Sequence, residues 1–341
     1  MKEQRVLFTV LIGILILTVF VSLALGRYPV SPKEILCFTA HKLTGMNCMD
    51  AQRAETLETV FVHIRMPRIL GAMLVGAALA VSGAVLQAIF INPLVSPGIL
   101  GILAGASFGA AFGVVFSASW IMVQTNAVFF GMAAVGLAVG LSRLYQGDRI
   151  LLLVMGGIIS NGLFNSLFLL MKYLADPYNQ LPAIIYWLMG GFALTDSKTT
   201  FVLSVPIACG ILILLCLSPY LNILTMGEEE ARSLGVNAKQ WRMVFIVISA
   251  LISSLTVALC GIIGWVGLVI PHLCRIIAGP DNRILLPASV LTGSIFLLIT
   301  DNVSRLLFPA ETPLGILTSL LGIPVFAVIL KNAGKGWSKW N

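Results

Sequence analysis

Residues 227–242 read GEEEARSLGVNAKQWR, and they hold three of the chain's 14 acidic side chains in one tripeptide, Glu228, Glu229 and Glu230. Arg232, Lys239 and Arg242 follow. A run of this kind breaks no bonds. It presents carboxylates and cations on short helical turns, which suits either a solvated loop or a surface that docks a partner. Other candidates for chemistry are few. GASFG at 105–109 fits the nucleophile pattern G-x-S-x-G, but that pattern works as a strained turn between a strand and a helix. Here it lies in an apolar helical stretch, so it is set aside. His41, His63 and His272 are too scattered for a metal site. Cys209, Cys216, Cys260 and Cys274 read as packing residues. Cys37 and Cys48 share one polar segment, where a disulfide is chemically permitted outside the cell. No G-x-x-x-x-G-K-[ST] occurs, so the chain has no phosphate loop of its own for ATP.

Asp301 and Arg305 stand one turn apart near the end of an apolar segment. A structural i, i+4 pair is one reading. Ionisable groups in membrane spans are costly, and so they are also functional candidates. With His272 and Arg275 they form a thin set. A carrier driven by an ion gradient would keep a proton or sodium site near mid-membrane. That alternative stands with Asp301 as its ion site, and a non-transport scaffold is a third class.

These residues need elements to hold them, and composition says where those elements sit. Charged residues make up 10% of the chain and apolar ones 58%, with a mean hydropathy of +1.00. A soluble domain carries roughly 25% charge, so the solvent is lipid. A span takes about 20 apolar residues, and lipid satisfies only helices or closed barrels. Ten segments qualify, giving an all-α polytopic fold in one domain, 1–341. They are Val6–Leu25, Ile69–Phe90, Gly98–Ser117, Ala127–Leu141, Ile150–Tyr173, Thr200–Leu217, Met243–Ile263, Trp265–Ala278, Ile284–Leu307 and Pro313–Leu330. The first reads as a retained span, since no clear cleavage site follows it.

Ten spans put both termini on one side. With the termini cytoplasmic, 12 Lys and Arg fall inside and nine outside, six of these nine between Arg27 and Arg68. Without that basic stretch the count favours cytoplasmic termini. Segment 27–66 is then external and 219–242 internal. Pro32–Lys42 predicts a short amphipathic helix begun by Ser31 and Pro32. In the island, the glutamates suit a helix start and Gly235 a stop, with a second short turn over Asn237–Arg242. ALAVSGAVLQAIFINPL (78–94) echoes ALCGIIGWVGLVIPHL (258–273), which suggests an inverted repeat of spans 2–5 and 7–10. Gly101, Gly105, Gly109 and Gly113 recur every four residues on one helix face. They serve either close packing or a smooth wall beside a passage.

Several blocks resemble one family. HIRMPRILGAMLVGAALAVSGAVLQAIFINPLVSPGILG, YLADPYNQLPAIIYWLMGGF, GEEEARSLGVNAKQWR, GWVGLVIPHLCRIIAGPDNRILLP and DNVSRLLFPAETPLGILTSLLGIPVF occur in the order seen in the FecCD/cobalamin-type permeases of ABC importers. These carry iron-siderophores, haem and cobalamin. The resemblance implies a homodimer in the bacterial inner membrane, two cytosolic ATPase subunits that hold ATP and Mg, and one periplasmic binding protein. No nucleic acid is implied. It makes Arg65, Arg68 and Arg305 the docking arginines for that binding protein. It makes Glu228, Glu229, Glu230, Ala231, Arg232, Leu234 and Gly235 the coupling contacts. Asn92, Pro93 and Leu94 correspond to a cytoplasmic gate. Gly147 and Asp148 stand where the cobalamin member has small hydroxyl residues at a second gate, a departure from its pattern. The resemblance also implies a pathway on the dimer axis, lined by the third, fifth and tenth spans.

Overall fold

In the computed structural model, residues 2–26, 28, 30–44, 50–117, 119–193 and 195–337 are described. Every regular element among them is helical. α1 (Lys2–Ala24) is followed by the short α2 (Pro32–Thr44). α3 (Ala51–Glu58) runs through a π-helical stretch, Thr59–Arg65, into α4 (Met66–Ile89). The chain therefore stays helical well before residue 69, where the apolar pattern begins. Then come α5 (Ile102–Phe116), α6 (Trp120–Leu144), α7 (Arg149–Leu174), α8 (Gln180–Leu188) and α9 (Ser197–Cys216). The island follows as α10 (Ser218–Thr225), α11 (Glu228–Ser233) and the first turn of α12 (Ala238–Cys260). α13 (Val266–Ala278), α14 (Asn282–Leu306) and α15 (Leu314–Trp337) complete the chain. Cys48 lies outside the described residues, and with it the Cys37–Cys48 pairing.

Among the described residues seven helices are long and apolar enough to cross a membrane, and three shorter apolar helices accompany them, Ile102–Phe116, Val266–Ala278 and Leu314–Val328. Each of the ten expected segments coincides with one of these. At 1.5 Å per residue, α5 and α13 cover only roughly 20 Å, short of a hydrocarbon core of about 30 Å. A link with one 3-10 turn, Pro97–Leu100, extends α5, and a non-helical link, 261–265, extends α13. Such backbone is tolerated at membrane depth only when protein surrounds it, and here protein does. Val95, Leu100 and Ile263 in the links are buried. Asn161 of α7 donates its amide to the Gly98 carbonyl at 3.0 Å. The Gly191 N–H reaches the Cys260 carbonyl at 2.8 Å.

The sequence explains where helices start. Asp148 caps α7 by accepting from the N–H groups of Ile150 and Leu151. Asp196 caps α9, Asn237 caps α12 and Asp281 caps α14 in the same way. A short polar side chain satisfies N–H groups that have no partner within the helix.

α4 forms the centre, with α14, α12, α13 and α9 around it. Small residues make that possible. Gly76 lies against the backbone of Gly293 in α14, and Gly83 against Gly267 in α13, each too close to admit a Cβ. Close backbone approach is how helices associate when lipid supplies no hydrophobic drive. Buried polar groups knit the same seams, with Ser294 Oγ donating to the Met73 carbonyl at 2.9 Å and Gln87 Nε2 to that of Leu268 at 3.2 Å. The start of α4 lies with the end of α12, and the end of α4 with its start. The two halves are thus antiparallel, each a long helix, a link and a short helix.

Candidate functional sites at the two ends of the bundle

One end gathers arginines. Arg68, in the first turn of α4, lies between two carboxylates. Its Nε and Nη2 donate to Asp301 Oδ1 of α14 at 3.0 and 2.9 Å. Its Nη1 and Nη2 donate to Glu311 at 3.0 and 2.9 Å. Arg305, one turn beyond Asp301, puts its Nε 3.3 Å from Asp301 Oδ2 and donates to Asn302 Oδ1. Asn302 in turn donates to Ser22 Oγ at 2.6 Å. Arg65 donates to the carbonyls of Leu23 and Tyr28 and lies over the Phe61 ring at 5.8 Å. The last carbonyls of a helix lack partners and carry partial negative charge, so Arg65 and Arg305 both serve the end of α1. α15 starts at this end as well, so α1 and α15 both extend from it toward the other end.

Asp301 is fully buried, Arg65 is 3% exposed and Arg305 8%. Arg68 shows 12% of its side chain. The three arginines assigned to docking are brought together, yet they are turned inward with intramolecular partners. The pairing of Asp301 with Arg305 is present, and Arg68 shares it. Sequence reasoning missed Glu311 and Asn302. Glu311 was legible as an acid in the turn between two apolar segments, but its distance from Arg68 along the chain hid the contact.

Beside this network lies a cavity of about 960 Å³. Aromatic walls come from Trp120, Phe129, Tyr186, Trp187 and Phe192, and Arg68 and Glu311 sit on its rim. It is lined chiefly by α6, α8, α9 and the end of α12; the pathway expected on a dimer axis would lie between two copies of the chain. The third span packs elsewhere. Gly105, Gly109 and Gly113 lie against the backbone of Phe130, Asn126 and Val123 in α6. Gly101 is not on that helix face; it caps α5 in a left-handed conformation (φ 85°) against Ser160. Gly105, Gly109 and Gly113 thus serve close packing against α6.

The opposite end carries the island. α11 closes in a Schellman arrangement: the N–H of Gly235 bonds to the Arg232 carbonyl at 3.0 Å and that of Val236 to Ala231 at 2.9 Å. That geometry needs a left-handed residue, and Gly235 has φ 75°. The second short turn expected over Asn237–Arg242 is the first turn of α12 itself. Tyr220 and Trp241 stack at 4.1 Å and 13°, joining α10 to α12. Asn222 donates to Asp281 at 2.6 Å and accepts from the Asn282 N–H at 2.8 Å, fixing α10 to the start of α14. The Asn222 amide, foremost among its partners, holds the Asp281 carboxyl below the usual range.

Glu228, Glu229, Glu230, Arg232, Leu234 and Gly235 are exposed, whereas Ala231 is fully buried and anchors α11 to the core. Ala231 therefore offers no surface to a partner. Asn92, Pro93 and Leu94 form a turn after α4, in which Asn92 Oδ1 accepts from the Leu94 N–H at 2.9 Å. Asp148 is occupied as the cap of α7, with Gly147 before it at a positive φ of 152°. Among the described residues no group of His, Cys, Asp and Glu could hold a metal.

The comparison with known proteins is decided by the family model of the FecCD transport family, which matches residues 14–332. The chain belongs to that family. The molybdate import system permease MolB of Haemophilus influenzae is 38% identical over 323 residues, 95% of this chain and 94% of that protein. The hemin transport permease HmuU of Yersinia pestis is 39% identical over 274 residues, 78% and 81% of the two chains. A solved structure, an inward-facing conformation of a putative metal-chelate type ABC transporter, superposes with a TM-score of 0.84 at 38% identity, covering 96% of this chain and 99% of that one. The family consists of membrane permease components of ABC importers, and this FecCD member is a polytopic transport subunit of that kind.

Proposed function

We propose that the chain works as a homodimer with two cytosolic ATPase subunits and one binding protein, moving a metal compound across the bacterial inner membrane. The island end faces the cytoplasm and the arginine end the periplasm. ATP and Mg act on the partner subunits, whose closure moves α11 and so the bundle. The observation that carries this reading is the construction of the island. A charged helix is fixed through Ala231, the Tyr220–Trp241 stack and Asn222, and its outer face is left without a partner. A merely solvated loop has no use for such anchoring.

Binding-protein docking at the other end takes a modified form. Glu311 is the exposed edge of the network, with 26% of its side chain accessible. A partner's carboxylate would replace it on Arg68. Such pairs steer encounter and fix register more than they add affinity.

The cargo in this reading is a metal chelate, an iron-siderophore or haem. Molybdate is the second reading, favoured because the molybdate permease matches nearly the whole chain whereas the hemin permease matches about four-fifths. Cobalamin is weakened by Gly147 and Asp148. An ion-gradient carrier has little to work with, since Asp301 is already held by Arg68 and Arg305.

The test is to express the chain with its neighbouring genes and purify it in mild detergent. An ATPase subunit should come with it in stoichiometric amount, and Leu234→Asp, on a 60% exposed residue, should remove it without changing the fold. Purification of a homodimer alone, or retention of the ATPase by that variant, would overturn the coupling assignment. Uptake of labelled iron chelate against labelled molybdate in vesicles then separates the two cargo readings.

A further inference from the structure

A second cavity, of about 1220 Å³, opens at the island end between the α6–α7 hairpin and the start of α12. Its walls differ in character with depth. The inner part is apolar, made by Ile89, Phe90, Leu153 and Ile246 among others. The mouth carries four cations, Arg143, Arg149, Lys239 and Arg242, against one carboxylate, Glu228. Asp148 sits next to Arg149 but is spent on capping α7. Glu228 neutralises little, because it is divided between Arg232 at 3.4 Å and Arg242 at 3.6 Å. Arg242 Nε is buried with no hydrogen-bond partner. A buried donor left unmet costs free energy, so an acceptor placed here would be stabilising.

We propose that this crevice holds an anionic phospholipid, its phosphodiester among Arg143, Lys239 and Arg242 and its acyl chains on the apolar floor. Three observations favour that occupant. A free oxyanion would have no use for the apolar depth. The Tyr220–Trp241 stack adjoins Arg242, and aromatic residues of this kind mark headgroup level. Val244 and Val247, 39% and 41% exposed, leave the crevice open sideways where acyl chains would lie. Basic pockets between spans on the cytoplasmic side suit such headgroups. A lipid here would wedge α12 apart from α6 one turn beyond the island, so its presence would set how far α11 can swing.

The test uses the full chain in mild detergent, titrated with dioleoylphosphatidylglycerol or dioleoylphosphatidylcholine and read by native mass spectrometry. Each cation near an anionic headgroup is worth roughly a fivefold change in affinity. Phosphatidylglycerol should therefore be retained at least roughly tenfold better than phosphatidylcholine. R143Q/K239Q/R242Q should erase the preference, and the exposed Lys239→Gln alone should lower it about fivefold if the triple variant does not fold. Val247→Trp, which keeps every charge but fills the crevice, should reduce retention of both lipids. Arg283→Gln, a cation outside the crevice, should change nothing. Equal retention of the two lipids, an unaltered preference in the triple variant, or displacement of the lipid by inorganic phosphate would overturn the proposal. None of these readouts depends on which cargo is carried or on an ATPase being present.

Discussion

At the arginine end, Asp301 is fully buried and touches Arg68 at 2.9 Å and Arg305 at 3.3 Å. At the island end, Glu228 keeps 46% of its side chain in solvent and meets an Arg232 that is 81% exposed, at 3.4 Å. Both are carboxylate–guanidinium contacts, but their energetics differ. A buried charge depends on its partners, because removing one leaves another stranded. An exposed i, i+4 pair contributes only about 0.3–0.5 kcal/mol. Charge at the arginine end thus holds α1, α4 and α14 together. Charge at the island end is left free for contact with something else.

The comparison can be broken first at Asp301. Asp301→Asn preserves shape but leaves Arg68 and Arg305 without their shared carboxylate. Losing one partner of a buried ionic group costs about 3–5 kcal/mol. The variant should unfold in detergent at markedly lower temperature, while hydrogen exchange over residues 228–236 in chain that remains folded stays unchanged. Unchanged stability would mean that the network is not what fastens this end.

A smaller effect is expected at Gly235. No atom would meet a Cβ there within 4 Å, yet its φ is 75°. Gly235→Ala should cost about 1 kcal/mol by disfavouring the left-handed turn. The loss should be confined to α11, read as faster hydrogen exchange over residues 228–236. Faster exchange throughout the bundle would show that the island is part of the core and not an appended surface.

The sequence made the apolar segments legible because lipid admits one solution for each, and every one has its helix. The island was legible because three glutamates in a chain this apolar have few homes. What it did not reveal are contacts made at long range. Glu311 lies far along the chain from Arg68, and nothing local in PAET announces that contact. Gly101 followed the four-residue period of Gly105, Gly109 and Gly113, but a left-handed cap breaks the helix there, and periodicity has no term for backbone sign. Ala231 shared the island's sequence context and so was assigned to its surface. Burial of a single small residue on a short helix depends on the helix beneath it.

The finest test asks whether location or burial decides these roles, and Glu34 answers it. It lies at the arginine end, as Asp301 does, but on the outer face of α2, with 30% of its side chain accessible. The expected helix start at Ser31 is a full capping box: Ser31 N–H donates to Glu34 at 2.7 Å and Glu34 N–H to Ser31 Oγ at 3.2 Å. Arg53 adds a further bond at 2.6 Å. The Ser31 N–H first, then Arg53, hold the Glu34 carboxyl down to about 2 from an ordinary 4.5. A depressed carboxyl stabilises the fold above its ordinary pKa and loses that contribution as pH falls through the folded value. Protection of α2 against hydrogen exchange should therefore be constant above pH 4.5 and decline from there to pH 2. Glu34→Gln should flatten that profile at its low level without altering exchange in α4 or α14. If α4 loosens along with α2, the exposed pair is coupled to the buried network, and position in the molecule governs more than burial does.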